Sequence, residues 1–249
     1  MRALLLATLI VVGSPAMAQE KQRLSSTDVE RRTALFFKAP DGMLNKVLPT
    51  GWKVNPPTAG PSKGFSLGVT LINQLVTQGP DGKALPARTY IVFIVPAKTD
   101  ANAGGPMVFG GFMPTSGVPG AYGVYQAAKV TLDTQQSTAE NQSRAEELWQ
   151  ATGEDGSAIE MQLTFDRGTP VRSKAEAKVY SAAKPDFYRV YQIDQAVDVV
   201  RSVPDGIDRA TKFSIKVAGA KLAPMFEGVE LVSISSIPWY SRSIYLPEF

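Results

Sequence analysis

The stretch AIEMQLTFDRGTPVRSKAEAKVYS, residues 158–181, decides the fold class. Apolar residues occupy every second position of its first arm: Ile159, Met161, Leu163 and Phe165. Charged residues occupy every second position of its second arm. A period of two on both arms is typical of antiparallel strands with one face packed and the other in water. The stretch therefore predicts a hairpin about RGTP. Its expected register sets Asp166 opposite Arg172 and Glu160 opposite Lys178, which pairs opposite charges.

Strand patterns continue on both sides of this stretch. FSLGVTLINQLV (65–76) and ARTYIVFIVPA (87–97) flank the turn sequence GPDGK and predict a second hairpin. EELWQAT (146–152) and ATKFSIKVAG (210–219) add strands, and the C-terminal segment 229–249 predicts two strands broken at Pro238. Residues 49–64 and 100–120 are rich in Gly and Pro and are expected to be loops. The fold class is therefore mainly β, with an antiparallel, barrel-like domain.

One or two helices are also expected. SSTDVERRTALFFKAPDG (25–42) combines Thr27 and Glu30 in the spacing of a capping box with Pro40 and Gly42 at its end. LAPMFEG (222–228) can form one helical turn. The first segment predicts a helix before the strands begin.

The N-terminus resembles a secretory signal peptide. Arg2 precedes an apolar run of ten residues, and Ala16-Met17-Ala18 is a small-x-small cleavage sequence. A membrane anchor is the alternative, but the run is too short to span a bilayer. We expect a signal peptide at 1–18, a single domain at 19–249, and a periplasmic or secreted protein with no membrane contact after cleavage.

Composition excludes several kinds of chemistry. The 249 residues include no His and no Cys, and the net charge is +3. Lys and Arg do not cluster with aromatics, so we expect no nucleic-acid partner. Imidazole and thiolate ligands are missing, and we expect no metal and no cofactor. GFSLG (64–68) and SAAK (181–184) match nucleophile motifs, but the first lacks a His base and a proline follows the second.

The order of several motifs resembles the acetoacetate decarboxylase-like superfamily. LPTGW (48–52) is followed by the paired strands, by GVYQAAKV (123–130), by the meander 155–181 and by the closing strands 231–247. The resemblance spans about residues 40–247. It implies a β-rich, barrel-like fold with an apolar cavity and a tendency to form homo-oligomers.

The resemblance also implies where a catalytic amine would lie. Decarboxylases of the superfamily form a Schiff base through a lysine whose pKa is lowered by a second lysine. Lys129 is the residue here that could take the nucleophile's place. Its neighbours are Ala128 and Val130, so the second lysine is missing, as is the motif's proline. The alternative is an amphipathic strand with Lys129 on its solvated side, and the sequence favours this alternative.

These observations favour a protein that binds a small organic ligand, a carboxylate or keto compound, without lysine-dependent decarboxylation. The residues expected in the cavity wall are Arg88, Tyr90, Tyr122, Tyr125 and Trp149, with Arg88 receiving a carboxylate. Core packing is the other role open to these aromatics. Two alternatives remain: a carbon–carbon lyase that acts on a keto acid through Lys129, and a periplasmic structural or interaction protein.

Overall fold

The structure, a computed structural model, describes residues 21–101, 103–140 and 142–248. The expected signal peptide lies outside these residues. Fourteen strands and three short 3₁₀ helices form the described part of the chain. The strands are β1 Gln22–Lys38, β2 Trp52–Val54, β3 Leu67–Gln78, β4 Ala84–Leu85, β5 Thr89–Thr99, β6 Gly104–Met113, β7 Gln126–Ala139, β8 Gln142–Gly153, β9 Ala158–Asp166, β10 Val171–Ser181, β11 Tyr188–Ser202, β12 Ile207–Asp208, β13 Ala210–Ala218 and β14 Glu230–Pro247. The 3₁₀ helices are Met43–Lys46, Thr115–Gly117 and Ala223–Phe226.

Seven strands close into a ring. Their order is β6-β10-β11-β14-β1-β3-β5, and β5 pairs back onto β6. Every pairing in the ring is antiparallel except that of β10 with β6. The mainly β, barrel-like class expected from the sequence is confirmed.

A second sheet extends from the ring and covers part of it. It follows the order β7-β8-β9-β13, and β7 joins the ring through a short parallel pairing with β6. The buried side chains of this sheet, among them Trp149 and Phe165, form one apolar cluster with Leu71 and Phe93 of the ring. The larger hydrophobic core therefore lies between the ring and the second sheet.

The helix expected over residues 25–42 is wrong. These residues form most of β1, which pairs with β14 on one side and β3 on the other. Glu30 does not cap a helix but lies fully buried beside Arg242. Pairing on both edges outweighs the local capping pattern, since local propensity is a weak prior against tertiary contacts. The described ranges contain no α-helix, and LAPMFEG holds a single 3₁₀ turn.

The hairpin predicted about RGTP is also wrong, although both of its arms are strands. β9 lies between β8 and β13, whereas β10 lies between β6 and β11. Glu160 therefore pairs with Lys216, and Arg172 pairs with Asp194. Alternation predicts which face of a strand is buried, and Phe165 is 1% exposed as expected. It does not predict the neighbouring strand, because the chain crosses at RGTP from the second sheet to the ring.

The hairpin of β3 and β5 and the pairing of β8 with β9 are confirmed. The expected loop at 100–120 is wrong in part, since it contains β6. Glycines are needed there because the neighbouring strands approach closely: a Cβ on Gly105 would lie 2.3 Å from the backbone oxygen of Lys178. β14 runs through Pro238 without a break, but its register to β1 shifts beside that proline. Among the described residues, no helix has the length and apolar character needed to cross a bilayer.

Candidate functional site

A cavity of about 490 Å³ lies on the inner side of the ring. Each of the seven ring strands contributes to its wall: Asp28 from β1, Ile72 from β3, Tyr90 from β5, Val108 from β6, Val179 from β10, Tyr191 from β11 and Arg242 from β14. This volume falls in the range of cavities that hold small molecules.

Strand alternation decides which side chains reach the cavity. On β5, Tyr90 and Val92 line the cavity. The alternate residues Ile91 and Phe93 point to the other face and pack into the core under the second sheet. The segment that joins β6 to β7 covers one side and contributes Tyr122 and Tyr125. Gly120 has a φ of +69° in this segment, a backbone conformation that favours glycine.

A buried ion cluster forms part of the wall. Asp28 lies opposite Arg242 in the pairing of β1 with β14, and Arg242 Nε donates to Asp28 Oδ2 over 2.9 Å. Arg242 Nη2 donates to Glu30 Oε1 over 2.9 Å, and Arg32 Nε donates to Glu30 Oε2 over 2.6 Å. Buried charges require such partners, because desolvation of an isolated charge is costly.

The cluster holds Glu30 and Arg242 in their charged forms. Burial raises the pKa of Glu30, but the positive charges of Arg242 and Arg32 outweigh it, and the pKa lies below its ordinary value. Burial lowers the pKa of Arg242, whereas the charge of Glu30 and the neighbouring Tyr90 raise it, so that it lies well above its ordinary value. The Glu30 carboxylate and the Arg242 guanidinium therefore form a buried ion pair.

Tyrosine hydroxyls add neutral hydrogen-bonding groups. Tyr90 Oη accepts a hydrogen bond from Arg242 Nη2 over 3.0 Å, and the hydroxyls of Tyr122 and Tyr191 lie 2.5 Å apart. Tyr125 packs edge-on against Tyr90, with 6.2 Å between the ring centroids. Burial raises the pKa of Tyr90, Tyr122 and Tyr125 above the ordinary value. These hydroxyls therefore stay protonated at neutral pH.

Two more arginines in the wall lack an acidic partner. Arg88 and Arg189 are half-buried, and the Nε atom of each is buried without a hydrogen-bond partner in the described part of the chain. Neither makes an ion pair with any of the described residues. Together with Arg32 and Arg242, these arginines place four positive charges at the cavity. Asp28 and Glu30 supply two negative charges, so the net charge of the cavity wall and its ion cluster is +2.

The structure brings four of the five expected wall residues together. Arg88, Tyr90, Tyr122 and Tyr125 line the cavity, and their binding role stays a prediction. Trp149 lies apart from them. It is 2% exposed within the core between the two sheets, where its Nε1 donates to Glu147 Oε2 over 2.9 Å.

Lys129 lies outside the cavity. It is exposed on β7, opposite Thr152, on the outer face of the second sheet beside Glu160 and Lys216. No lysine is among the residues found in the cavity wall within the described ranges. The position agrees with the amphipathic-strand interpretation, and the chemical role of Lys129 stays a prediction.

Sequence reasoning missed the most strongly charged part of the site. The helix that the sequence predicts over residues 25–42 includes Asp28, Glu30 and Arg32, and no pattern singles out Arg189 or Arg242. Arg242 lies among apolar and small residues in a segment that reads as a strand. A charged residue in such surroundings is often buried and then needs a partner of opposite charge, and this is the signal that could have identified it. The described residues contain no group of three or more His, Cys, Asp or Glu side chains that could hold a metal ion.

Comparison with known proteins identifies the fold. No family model matches the sequence, and no curated protein matches it. An acetoacetate decarboxylase-like enzyme from Sphingomonas wittichii RW1 superposes with a TM-score of 0.57 at 9% identity, covering 98% of this chain and all of that one. The enduracididine biosynthesis enzyme MppR, complexed with the condensation product of pyruvate and imidazole 4-carboxaldehyde, gives 0.54 at 10% identity, covering 90% of this chain and 87% of that one.

An acetoacetate decarboxylase gives a TM-score of 0.51 at 10% identity, covering 95% of this chain and 93% of that one. Sequence identities this low carry information about architecture rather than chemistry. The similarity nevertheless extends over nearly the whole chain, through the ring and the second sheet together. The chain therefore has the acetoacetate decarboxylase-like fold.

Proposed function

We propose that this protein binds a small organic carboxylate in the cavity of its ring. The observation that carries the proposal is the pair of arginines, Arg88 and Arg189, which line the cavity without a carboxylate partner among the described residues. Guanidinium groups form strong, directional hydrogen bonds to carboxylates, and an anion would balance the excess positive charge of the wall. Tyrosine and aliphatic side chains would surround the apolar part of the ligand.

We infer that the ligand is bound without a Schiff base to a lysine. A Schiff base requires an amine within bonding distance of the substrate carbonyl. The wall residues within the described ranges include no lysine, and Lys129 lies on an exposed face elsewhere. MppR, which has a similar fold, is complexed with the condensation product of pyruvate and imidazole 4-carboxaldehyde, and this supports a small organic compound as the type of ligand.

Calorimetric titration with acetate, butyrate, hexanoate and benzoate tests the proposal. We expect at least one acid to bind, and we expect Arg88→Gln and Arg189→Gln each to weaken that binding about tenfold or more, the usual size of a charged hydrogen bond. Lys129→Gln is the matched control, because it removes one positive charge outside the cavity. The proposal fails if no acid binds, or if the corresponding primary amides bind as well as the acids.

A further inference from the structure

We propose that the ligand is a hydroxycarboxylate whose hydroxyl donates a hydrogen bond to Asp28. This inference rests on the proposed function and specifies the class of ligand. It is carried by the environment of a single carboxylate in the cavity wall.

Only one of the two carboxylate oxygens of Asp28 has a hydrogen-bond partner among the described residues. Its side chain is 3% exposed and lines the cavity, and its Oδ2 accepts a hydrogen bond from Arg242. Its Oδ1 is buried and has no hydrogen-bond partner among the protein atoms of the described residues. A buried carboxylate oxygen without a donor is costly, so a donor group on a bound ligand would gain more here than at an exposed carboxylate.

The charge of the cavity decides which donor is suitable. The wall and its ion cluster carry a net charge of +2, and the guanidinium of Arg242 is already bound to Asp28. An ammonium group would add a third positive charge at a site with low dielectric screening. A keto oxygen only accepts hydrogen bonds and cannot satisfy Oδ1. A hydroxyl group donates without adding charge.

Asp28 and Arg88 are close enough for one small molecule to reach both. Asp28 lies opposite Thr77 on β3, and Gln74 of the same strand exchanges hydrogen bonds with the backbone of Arg88. The two residues thus flank β3 from either side. Because Thr77 and Gln74 lie three residues apart along β3, their backbones are offset along the strand as well as across it and lie roughly 14 Å apart. The arginine side chain shortens the remaining gap, so the carboxylate and the hydroxyl can belong to a short chain.

A matched series of acids tests the inference by calorimetry. The probes are 3-hydroxybutyrate, butyrate, acetoacetate and 3-aminobutyrate, together with the corresponding six-carbon acids. We expect the hydroxy acid to bind about tenfold or more tightly than the acid without the hydroxyl, as a hydrogen bond to a charged acceptor provides. The keto and amino acids should show no such gain.

Two variants separate the hydroxyl from the carboxylate. Asp28→Asn should bring the ratio of the two affinities to within about twofold of one, because it removes the charged acceptor. Arg88→Gln should weaken both acids and leave their ratio unchanged. Circular dichroism should confirm that each variant folds. If Asp28→Asn does not fold, the series on the unaltered protein still decides the question.

The outcomes distinguish this inference from the proposed function. If the acids bind but the hydroxy acid has no advantage, or if the amino acid binds best, the inference is overturned and the proposed function stands. If neither this series nor the simple acids bind, the proposed function fails as well.

Discussion

Arg242 lines the cavity and also forms buried ion pairs that join β14 to β1. Its guanidinium contacts Asp28, Glu30 and Tyr90, and it lies 4.6 Å from the ring centroid of Tyr191. Asp28 and Arg242 are 214 positions apart in the chain. Sequence patterns report neighbours along one strand, so a pair this distant could not be predicted. Tyr90 belongs to a strand that the sequence predicts from its run of apolar and aromatic residues, and Arg88 directly precedes that strand.

The buried carboxylate of Glu30 predicts a specific response to acid. Its pKa in the folded protein lies below the ordinary value of about 4.3, so its contribution to stability is complete above that value and is lost as the pH falls through the folded pKa. We expect Glu30→Gln to lower the free energy of unfolding at pH 7, and the difference from the unaltered protein to shrink as the pH falls below about 4. Urea titrations at several pH values measure this difference.

Glu160→Gln is the control for this experiment. Glu160 pairs with Lys216 at the surface, where ion pairs contribute little, so this variant should change stability only slightly at any pH. A difference for Glu30→Gln that stays constant or grows on acidification would contradict the assignment.

Lys129 provides a test of whether this protein forms a Schiff base through a lysine. Because this side chain is exposed on β7 in an open surface groove that it shares with Glu160 and Lys216, we expect no preferential Schiff base with a β-keto acid. Mass spectrometry after treatment with acetoacetate and borohydride should show no more adduct at Lys129 than at other surface lysines, and the same total in Lys129→Ala. A single adduct that is lost in Lys129→Ala would establish lysine chemistry and revive the lyase alternative.

At the scale of the elements, alternation identifies buried faces reliably. Phe165 on β9 is 1% exposed, whereas Val171 at the start of β10 is 70% exposed. We expect Phe165→Ala to cost about 3–5 kcal/mol in the free energy of unfolding, because it empties a core site, and Val171→Ala to cost less than about 0.5 kcal/mol. Urea unfolding of both variants measures the two changes. Equal costs would show that β9 does not pack its odd-numbered residues inward.

The errors of sequence reasoning also belong to this scale. The capping spacing of Thr27 and Glu30 predicts a helix, whereas pairing with β14 and β3 makes the segment the extended strand β1. The hairpin about RGTP was wrong because β9 and β10 each alternate but pair elsewhere. Local patterns define strands and faces, whereas strand order depends on contacts between distant segments.

At the scale of the whole molecule, the resemblance in motif order predicted the closed ring and its cavity. The ring gives each strand two partners, which removes most exposed edges. It also brings side chains from seven strands to one cavity. Of the charged residues there, the sequence predicts Arg88 but not Asp28, Arg32, Arg189 or Arg242.

We also propose that the protein acts after export. Arg2, the apolar run and Ala16-Met17-Ala18 support cleavage after Ala18, and we expect the N-terminal sequence of protein recovered from the periplasm or medium to begin at Gln19. Protein that carries an intact Met1 and binds acids from within the cytoplasm would contradict this proposal.

A crystal structure of the protein grown with hexanoate tests the central proposal most directly. We expect electron density for the acid inside the ring, with its carboxylate within about 3 Å of the guanidinium of Arg88 or Arg189. Crystals of the Arg88→Gln, Arg189→Gln double variant should lack that density. Density for the acid only at the outer face of the second sheet, or an empty cavity at saturating acid, would contradict the proposal.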